Sequence, residues 1–220
     1  MSELYPVFLN VANRPCLVVG GGAVAARKLR GLLEAGARVT VVAPRRVDAL
    51  AEAAAAGDVT WIPRAFEAGD LDGMVLAFVA TSDREVNRWA AREARARGVW
   101  VNVADDPEAC DFALPAVLRR GRAAVAVSTG GASPAMASWL RDRVSDSLPE
   151  SIALLVEVAR HLRGGARQTG GEPFRELFSS GILEDLSAGD WEAADRKVAR
   201  FFGPTPGVRE LLGGRVREAT

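Results

Sequence analysis

A chain of 220 residues can hold one full-sized domain, a smaller companion and a substantial apolar core. Its 28 Lys+Arg balance its 28 Asp+Glu, which excludes a global field drawing it to nucleic acid or an anionic membrane. Two cysteines, Cys16 and Cys110, stand in no ligand spacing, so neither a disulfide framework nor a zinc site is expected. The opening Met1-Ser2-Glu3-Leu4-Tyr5-Pro6 has no basic or apolar leader character, and no apolar run reaches the ~20 residues of a membrane span; a cytoplasmic protein is expected.

In chain order, residues 6–11 form a short apolar segment expected to lie against a sheet. Residues 16–19 read as the first strand, and Gly20-Gly21-Gly22 as a turn opening a helix that runs through Lys28 to residue 35. That helix carries Val24, Ala25, Leu29, Leu32 and Leu33 at helical spacing, and Gly36 stops it. Strand two covers 38–43 and ends at Pro44, completing a β-α-β unit. A helix over 47–56, a strand over 59–62 and a loop or short helix over 66–71 follow. The continuous apolar run 74–80 predicts a strand buried on both faces. Thr81-Ser82-Asp83 then caps a helix over 84–97, and 99–103 is strand five. Five strands alternating with helices predict a doubly wound parallel α/β sheet.

The pattern changes after Asp105-Asp106-Pro107. Two strands joined around 119–122 lead to the turn 129–134, then to a helix over 135–147. Residues 151–202 read as helical, with breaks at 164–165 and 170–171, and a poorly ordered tail is expected from about 205. The expected domains are 1–112, 113–148 and 149–220.

Gly20, Gly22 and Ala25 fit G-x-G-x-x-A, the alanine form of a dinucleotide fingerprint, with a plain tight turn as the competing reading. In such folds the ligand lies beyond the carboxyl ends of the strands. This points to 20–24, Pro44 and Arg45, Thr81 and Ser82, and 102–106 with Asn102. Strand two ends without the acid that commonly holds an NAD ribose. Arg45 and Arg46 there fit either a 2′-phosphate, hence NADP, or solvated arginines beside a ribose held by the backbone of Pro44 and Arg45. Asp105 and Asp106 are either a poised general base or turn formers. Ser128 and Ser133 either bind an anion or cap the next helix. Arg119, Arg120, Arg122, Arg141 and Arg143 are either a local positive cluster for an anionic ligand or solvated surface arginines. His161, the single histidine, lies among Leu154, Leu155, Val158 and Leu162 and reads as structural. It leaves no Ser-His-Asp or Cys-His arrangement and no His-rich metal site.

Three stretches together resemble one family: 16–28 (CLVVGGGAVAARK), 101–107 (VNVADDP) with Phe112 and Pro115, and 127–134 (VSTGGASP). They look like the precorrin-2 dehydrogenase and sirohydrochlorin ferrochelatase family, over about residues 3 to 203. The resemblance implies a Rossmann-type NAD domain, a dimerisation region after strand five and a helical C-terminal region. It implies NAD contacts at Ala23, Val24, Pro44 and Arg45, which turns the open cofactor question toward NAD. Asp105 matches the aspartate the family uses in dehydrogenation, and Ser128 a serine of its substrate region, with Arg119 and Arg120 candidates for the carboxylates of precorrin-2. Also implied are a homodimer and, in some members, insertion of ferrous iron; the methyltransferase domain that some relatives carry is expected to be absent. The rival expectation is a non-catalytic NAD-sensing module, which has no evident need of the 127–134 motif.

Overall fold

A computed structural model describes residues 4–165 and 171–213, and the chain divides into two compact units, Met1–Leu114 and Pro115–Thr220. The first unit contains β1 (Pro15–Val19), α1 (Ala23–Glu34), β2 (Arg38–Val42), α2 (Asp48–Ala55), β3 (Val59–Ile62), β4 (Leu76–Val79), α3 (Arg84–Ala96) and β5 (Trp100–Val103). All five strands pair in parallel, in the order β3-β2-β1-β4-β5. The chain runs outward from β1 to β3 and then returns to β4 on the other side of β1. The order therefore reverses beside β1, and the register there sets Val19 level with both Val42 and Val79.

Strand alternation explains the two apolar layers. Cys16 and Val18 face one side with Val39, Val41, Leu76 and Phe78, under Ala25, Leu29 and Leu32 of α1. Leu17 and Val19 face the other with Ala77, Val79, Val101 and Val103, under Ala90, Ala91 and Ala94 of α3. Because side chains alternate along a strand, a central strand covered on both faces must be apolar throughout, as β1 and β4 are.

Two expectations change here. The strand expected over 74–80 is β4 at Leu76–Val79, with Val75 and Ala80 still donating to the Pro15 and Val19 carbonyls of the neighbouring strand at 2.9 and 2.8 Å, whereas the Met74 amide closes a turn onto the Leu71 carbonyl at 3.1 Å. The segment 6–10 does not lie against the sheet. Val11 is buried, but Phe8 is 74% exposed, because β1 is an inner strand with β2 and β4 already on its flanks.

The second unit begins with an antiparallel hairpin, β6 (Ala116–Arg120) and β7 (Ala123–Val127), turned by Gly121 at φ +56°. α4 (Pro134–Ser147) packs on both strands, and the Ser133 hydroxyl caps it by accepting from the Met136 amide at 3.1 Å. Then come α5 (Ile152–Gly165), α6 (Glu172–Ser179), α7 (Ile182–Ala188), α8 (Trp191–Phe202) and α9 (Val208–Leu211). Leu155, Val158, Leu162, Leu177, Ile182, Leu186 and Val198 form their shared core.

The tail expected from 205 is a correction. Through Leu212 the chain is packed, with Val208 fully buried and its amide donating to the Asp195 carboxylate at 2.6 Å. Residues 214–220 lie outside the described residues. α5 is described through Gly165 and α6 begins at Glu172; residues 166–170, between the two expected breaks, lie outside the described residues.

Candidate functional site

The three glycines of the first turn have three different reasons to be glycine. Gly20 sits at φ +124°, its amide donates to the Val42 carbonyl at 3.0 Å, and a Cβ there would meet the Ala80 carbonyl oxygen at 2.4 Å. A Cβ on Gly21 would meet the Arg45 carbonyl oxygen at 1.8 Å, because the 44–47 loop is drawn onto the turn by the Val47 amide donating to the Gly21 carbonyl at 2.8 Å. Gly22 faces open space. It is the extended N-cap of α1 and offers no side-chain acceptor, so the first amides of α1 keep no intrahelical partner.

That open space is a cleft of about 600 Å³ lined by 19–22, 42–47, 65–66, 80–83 and Val86. Gly20, Gly22, Pro44, Arg45, Thr81 and Ser82 all line it; Ala23 and Val24 form the first turn of the helix aimed at it. Bare amides at a helix N-terminus, on a turn without a Cβ in the way, fit the pyrophosphate of a dinucleotide. No acid closes the end of β2. The Arg46 guanidinium stacks on the Trp61 ring at 3.5 Å, and Trp61 in turn donates from Nε1 to the Ala43 carbonyl at 3.0 Å. On the other wall, the Thr81 hydroxyl and amide both donate to the Asn87 side-chain oxygen, at 2.6 and 3.2 Å, and Asn87 Nδ2 returns a bond to the Thr81 carbonyl at 3.1 Å. Asn87 was not among the candidate residues. The signal for it is a polar residue on the buried face of α3, among Ala90, Ala91 and Ala94.

Beyond β5 the chain folds back on itself. Cys110 Sγ accepts from the Val103 amide at 3.2 Å and lies 3.3 Å from both the Val103 and the Asp106 carbonyl oxygens, either of which can accept its S–H. Burial pushes the Cys110 thiol up, with the Val103 hydrogen bond opposing. Asp111 accepts from the Val101 amide at 3.0 Å and from Arg95 Nε at 2.8 Å. Asn102 stands outside the cleft lining. It is buried, and its amide donates to the Phe112 carbonyl at 2.9 Å. Asp106 faces Arg88 at 3.6 Å. Among the described residues Asp105 makes no ion pair and no side-chain hydrogen bond. It is exposed, at φ +58°, at the head of this folded-back loop. A short side chain tolerates that left-handed backbone, which turns the residue out of the strand direction.

In the second unit Ser128 is exposed and accepts from the Gly130 amide at 3.2 Å, while Thr129 and Ser133 close the rest of the turn on each other at 3.0 and 3.1 Å. The positive cluster expected there is largely neutralised. Arg120 donates to Ser145 at 2.9 Å and pairs with Glu150 at 3.0 Å; Arg122 pairs with Glu157 at 2.8 Å, and Arg141 with Asp142 at 2.7 Å. Arg119 is exposed and makes no ion pair among the described residues.

Residues 7–116 match a family model described as "Putative NAD(P)-binding", and residues 120–147 match one described as "Sirohaem biosynthesis protein central". The chain belongs to the NAD(P)-binding family. It is 46% identical to a siroheme synthase of Methylococcus capsulatus over 96% of its own length and 47% of the relative's. It is 41% identical to a siroheme synthase of Methylobacillus flagellatus, over 97% and 46%. The chain thus spans about half the length of the curated relatives it matches. A solved structure, "SirC, precorrin-2 dehydrogenase", aligns with a TM-score of 0.70 and 27% identity, covering 96% of this chain and 98% of that one. Among the described residues no helix is long and apolar enough to cross a membrane.

Proposed function

We propose that this chain is an NAD-dependent dehydrogenase that oxidises precorrin-2 to sirohydrochlorin in sirohaem biosynthesis. The observation that carries the reading is the likeness to a precorrin-2 dehydrogenase over nearly the whole of both chains, together with the glycine cleft. NAD, when bound, accepts the hydride that leaves the tetrapyrrole as a C–H bond breaks. The chain's own residues do the rest. The amides of Gly22, Ala23 and Val24 hold the pyrophosphate, the backbone of Pro44 and Arg45 holds the adenosine ribose, and Thr81 and Ser82 line the opposite wall. Oxidation also releases a proton, and Asp105 takes it as general base. Its neighbours Asp106 and Asp111 face arginines, which leaves Asp105 available at the loop head. Ser128 and Arg119 serve the carboxylated substrate. Arg120, already paired with Glu150 and Ser145, serves it by keeping the hairpin and α4 in order rather than by direct contact.

The relatives' name supports a second step, insertion of ferrous iron into the product, with iron as substrate. Among the described residues no cluster of three or more His, Cys, Asp or Glu side chains is placed to hold a resident metal. The reading further takes 113–148 as the dimerisation region of a cytoplasmic homodimer.

Anaerobic addition of precorrin-2 and NAD to the purified chain is expected to raise the NADH absorbance. Asp105→Asn is expected to lower kcat by roughly 10²- to 10⁴-fold with the NAD dissociation constant held. A protein that binds NAD and never forms NADH is a sensor, and the proposal fails.

A further inference from the structure

A site that takes NAD alone commonly ends its second strand in an acid, which holds the ribose 2′-hydroxyl and repels a phosphate there. Here β2 stops at Val42 and is followed by Ala43, Pro44, Arg45 and Arg46, and both arginines line the cleft. Among the described residues the one acid in that lining is Asp83. Its carboxylate is turned to the start of α3, accepting from the Glu85 and Val86 amides at 2.8 and 3.2 Å.

Arg46 is half-buried, and the loop that carries it is fixed at both ends. Trp61 Nε1 donates to the Ala43 carbonyl at 3.0 Å on one side, and the Val47 amide donates to the Gly21 carbonyl at 2.8 Å on the other. A guanidinium carbon 3.5 Å from the centre of the Trp61 ring requires the two planes to lie nearly parallel. Stacking therefore holds one face of Arg46 and leaves its N–H edge unengaged: among the described residues the side chain makes no ion pair and no hydrogen bond. An unpaired guanidinium held flat in the wall of a nucleotide cleft is a fork for a phosphate.

We infer that the cleft takes NADP as well as NAD, the N–H edge of Arg46, its plane set by Trp61, receiving the 2′-phosphate. The inference rests on the reading of the glycine cleft as a dinucleotide site, and it widens the cofactor of the proposed dehydrogenation without changing the chemistry. The 2′-phosphate sits on the adenosine ribose, far from the nicotinamide carbon that accepts the hydride. Arg46 is then a binding residue for the second cofactor, and Trp61 a positioning residue that acts through it.

Titration calorimetry of the full chain with NAD and with NADP tests this without any turnover. NADP is expected to bind within about tenfold of NAD. Arg46→Met should weaken NADP at least about tenfold more than NAD, since a charge-assisted hydrogen bond to phosphate is lost. Arg46→Asp, which installs the acid of an NAD-only site, should widen that gap to about a hundredfold or more. Trp61→Leu should move the ratio in the same direction by about threefold, and combining it with Arg46→Met should add nothing, because the ring acts only through the guanidinium. Arg46 lies on a loop and makes no hydrogen bond among the described residues, so both its replacements keep the fold, whatever becomes of Trp61→Leu. The inference is overturned if NADP binds more than about tenfold more weakly than NAD, or if Arg46→Met and Arg46→Asp weaken both dinucleotides alike. A Trp61→Leu variant with the wild-type ratio overturns the role of the ring. A chain that binds neither dinucleotide overturns the reading of the cleft itself, whereas NAD binding without NADP binding leaves that reading standing and removes only this inference.

Discussion

The sheet unit and the helical unit bury their apolar side chains by different means, and the means decide where polar groups can be left free. In the sheet unit five parallel strands end at one edge, so the turns that follow them, 20–22, 43–47, 80–83 and 104–112, converge there. Many of their groups bond to one another, but the first amides of α1 and the Asp105 carboxylate are left without a partner among the described residues. In the helical unit, α5 to α9 meet through Leu155, Val158, Leu177, Ile182 and Val198, and the polar groups at their ends find partners at once. The Asp190 side chain caps α8 by accepting from the Ala193 amide at 2.9 Å, Asp195 takes the Val208 amide, and Ser151 shares a 2.6 Å hydrogen bond with Ser187. A parallel sheet concentrates unfinished backbone; a helical bundle disperses and closes it.

That contrast can be broken most severely at Gly21. With a Cβ only 1.8 Å from a carbonyl oxygen that the loop cannot withdraw, Gly21→Ala is expected to cost about 3 kcal/mol or more in stability. It should also abolish NAD binding, which melting by circular dichroism and a binding titration would show together; a stable, NAD-binding variant refutes the account of the turn. Leu177, fully buried in the helical core, comes next. Truncation to Ala should cost about 2–5 kcal/mol, read from denaturant unfolding, with the NAD dissociation constant unchanged. A matching loss of NAD affinity would show that the helical unit supports the cleft after all. Gly22→Ala separates the fold from the ligand. Nothing lies within 4 Å of its Cβ position and its φ is −89°, so the melting temperature should hold while NAD binds about tenfold more weakly, roughly 1.4 kcal/mol. The smallest effect is expected at Ser133→Ala. Loss of the α4 cap should cost about 1 kcal/mol in unfolding measurements, with NAD affinity unchanged.

Much of the sheet unit was legible because its signals are local. Apolar runs with no polar alternation mark the inner strands, Gly36 and Gly98 close helices at positive φ, and the Gly20–Gly22 turn lies between a strand and a helix. The second unit was legible as helical, but the packing of Val208 and Leu212 was not. Two apolar residues in a Gly- and Pro-rich stretch carry no periodicity, and only the complementary surface of α5 and α8 gives them a place.

The candidate site divides along the same line. Sequence alone determined the strand-turn-helix whose geometry fits a pyrophosphate, since that geometry needs only consecutive residues. Tertiary structure decided which of the remaining polar residues are free. Arg46 is held by Trp61, Thr81 by Asn87 and Arg120 by Glu150, each through a partner at least six positions away. Asp106 faces Arg88 of α3, while Asp105 stays exposed and makes no ion pair among the described residues. A side chain's chemistry is written in its own residue; its availability depends on neighbours that only folding supplies.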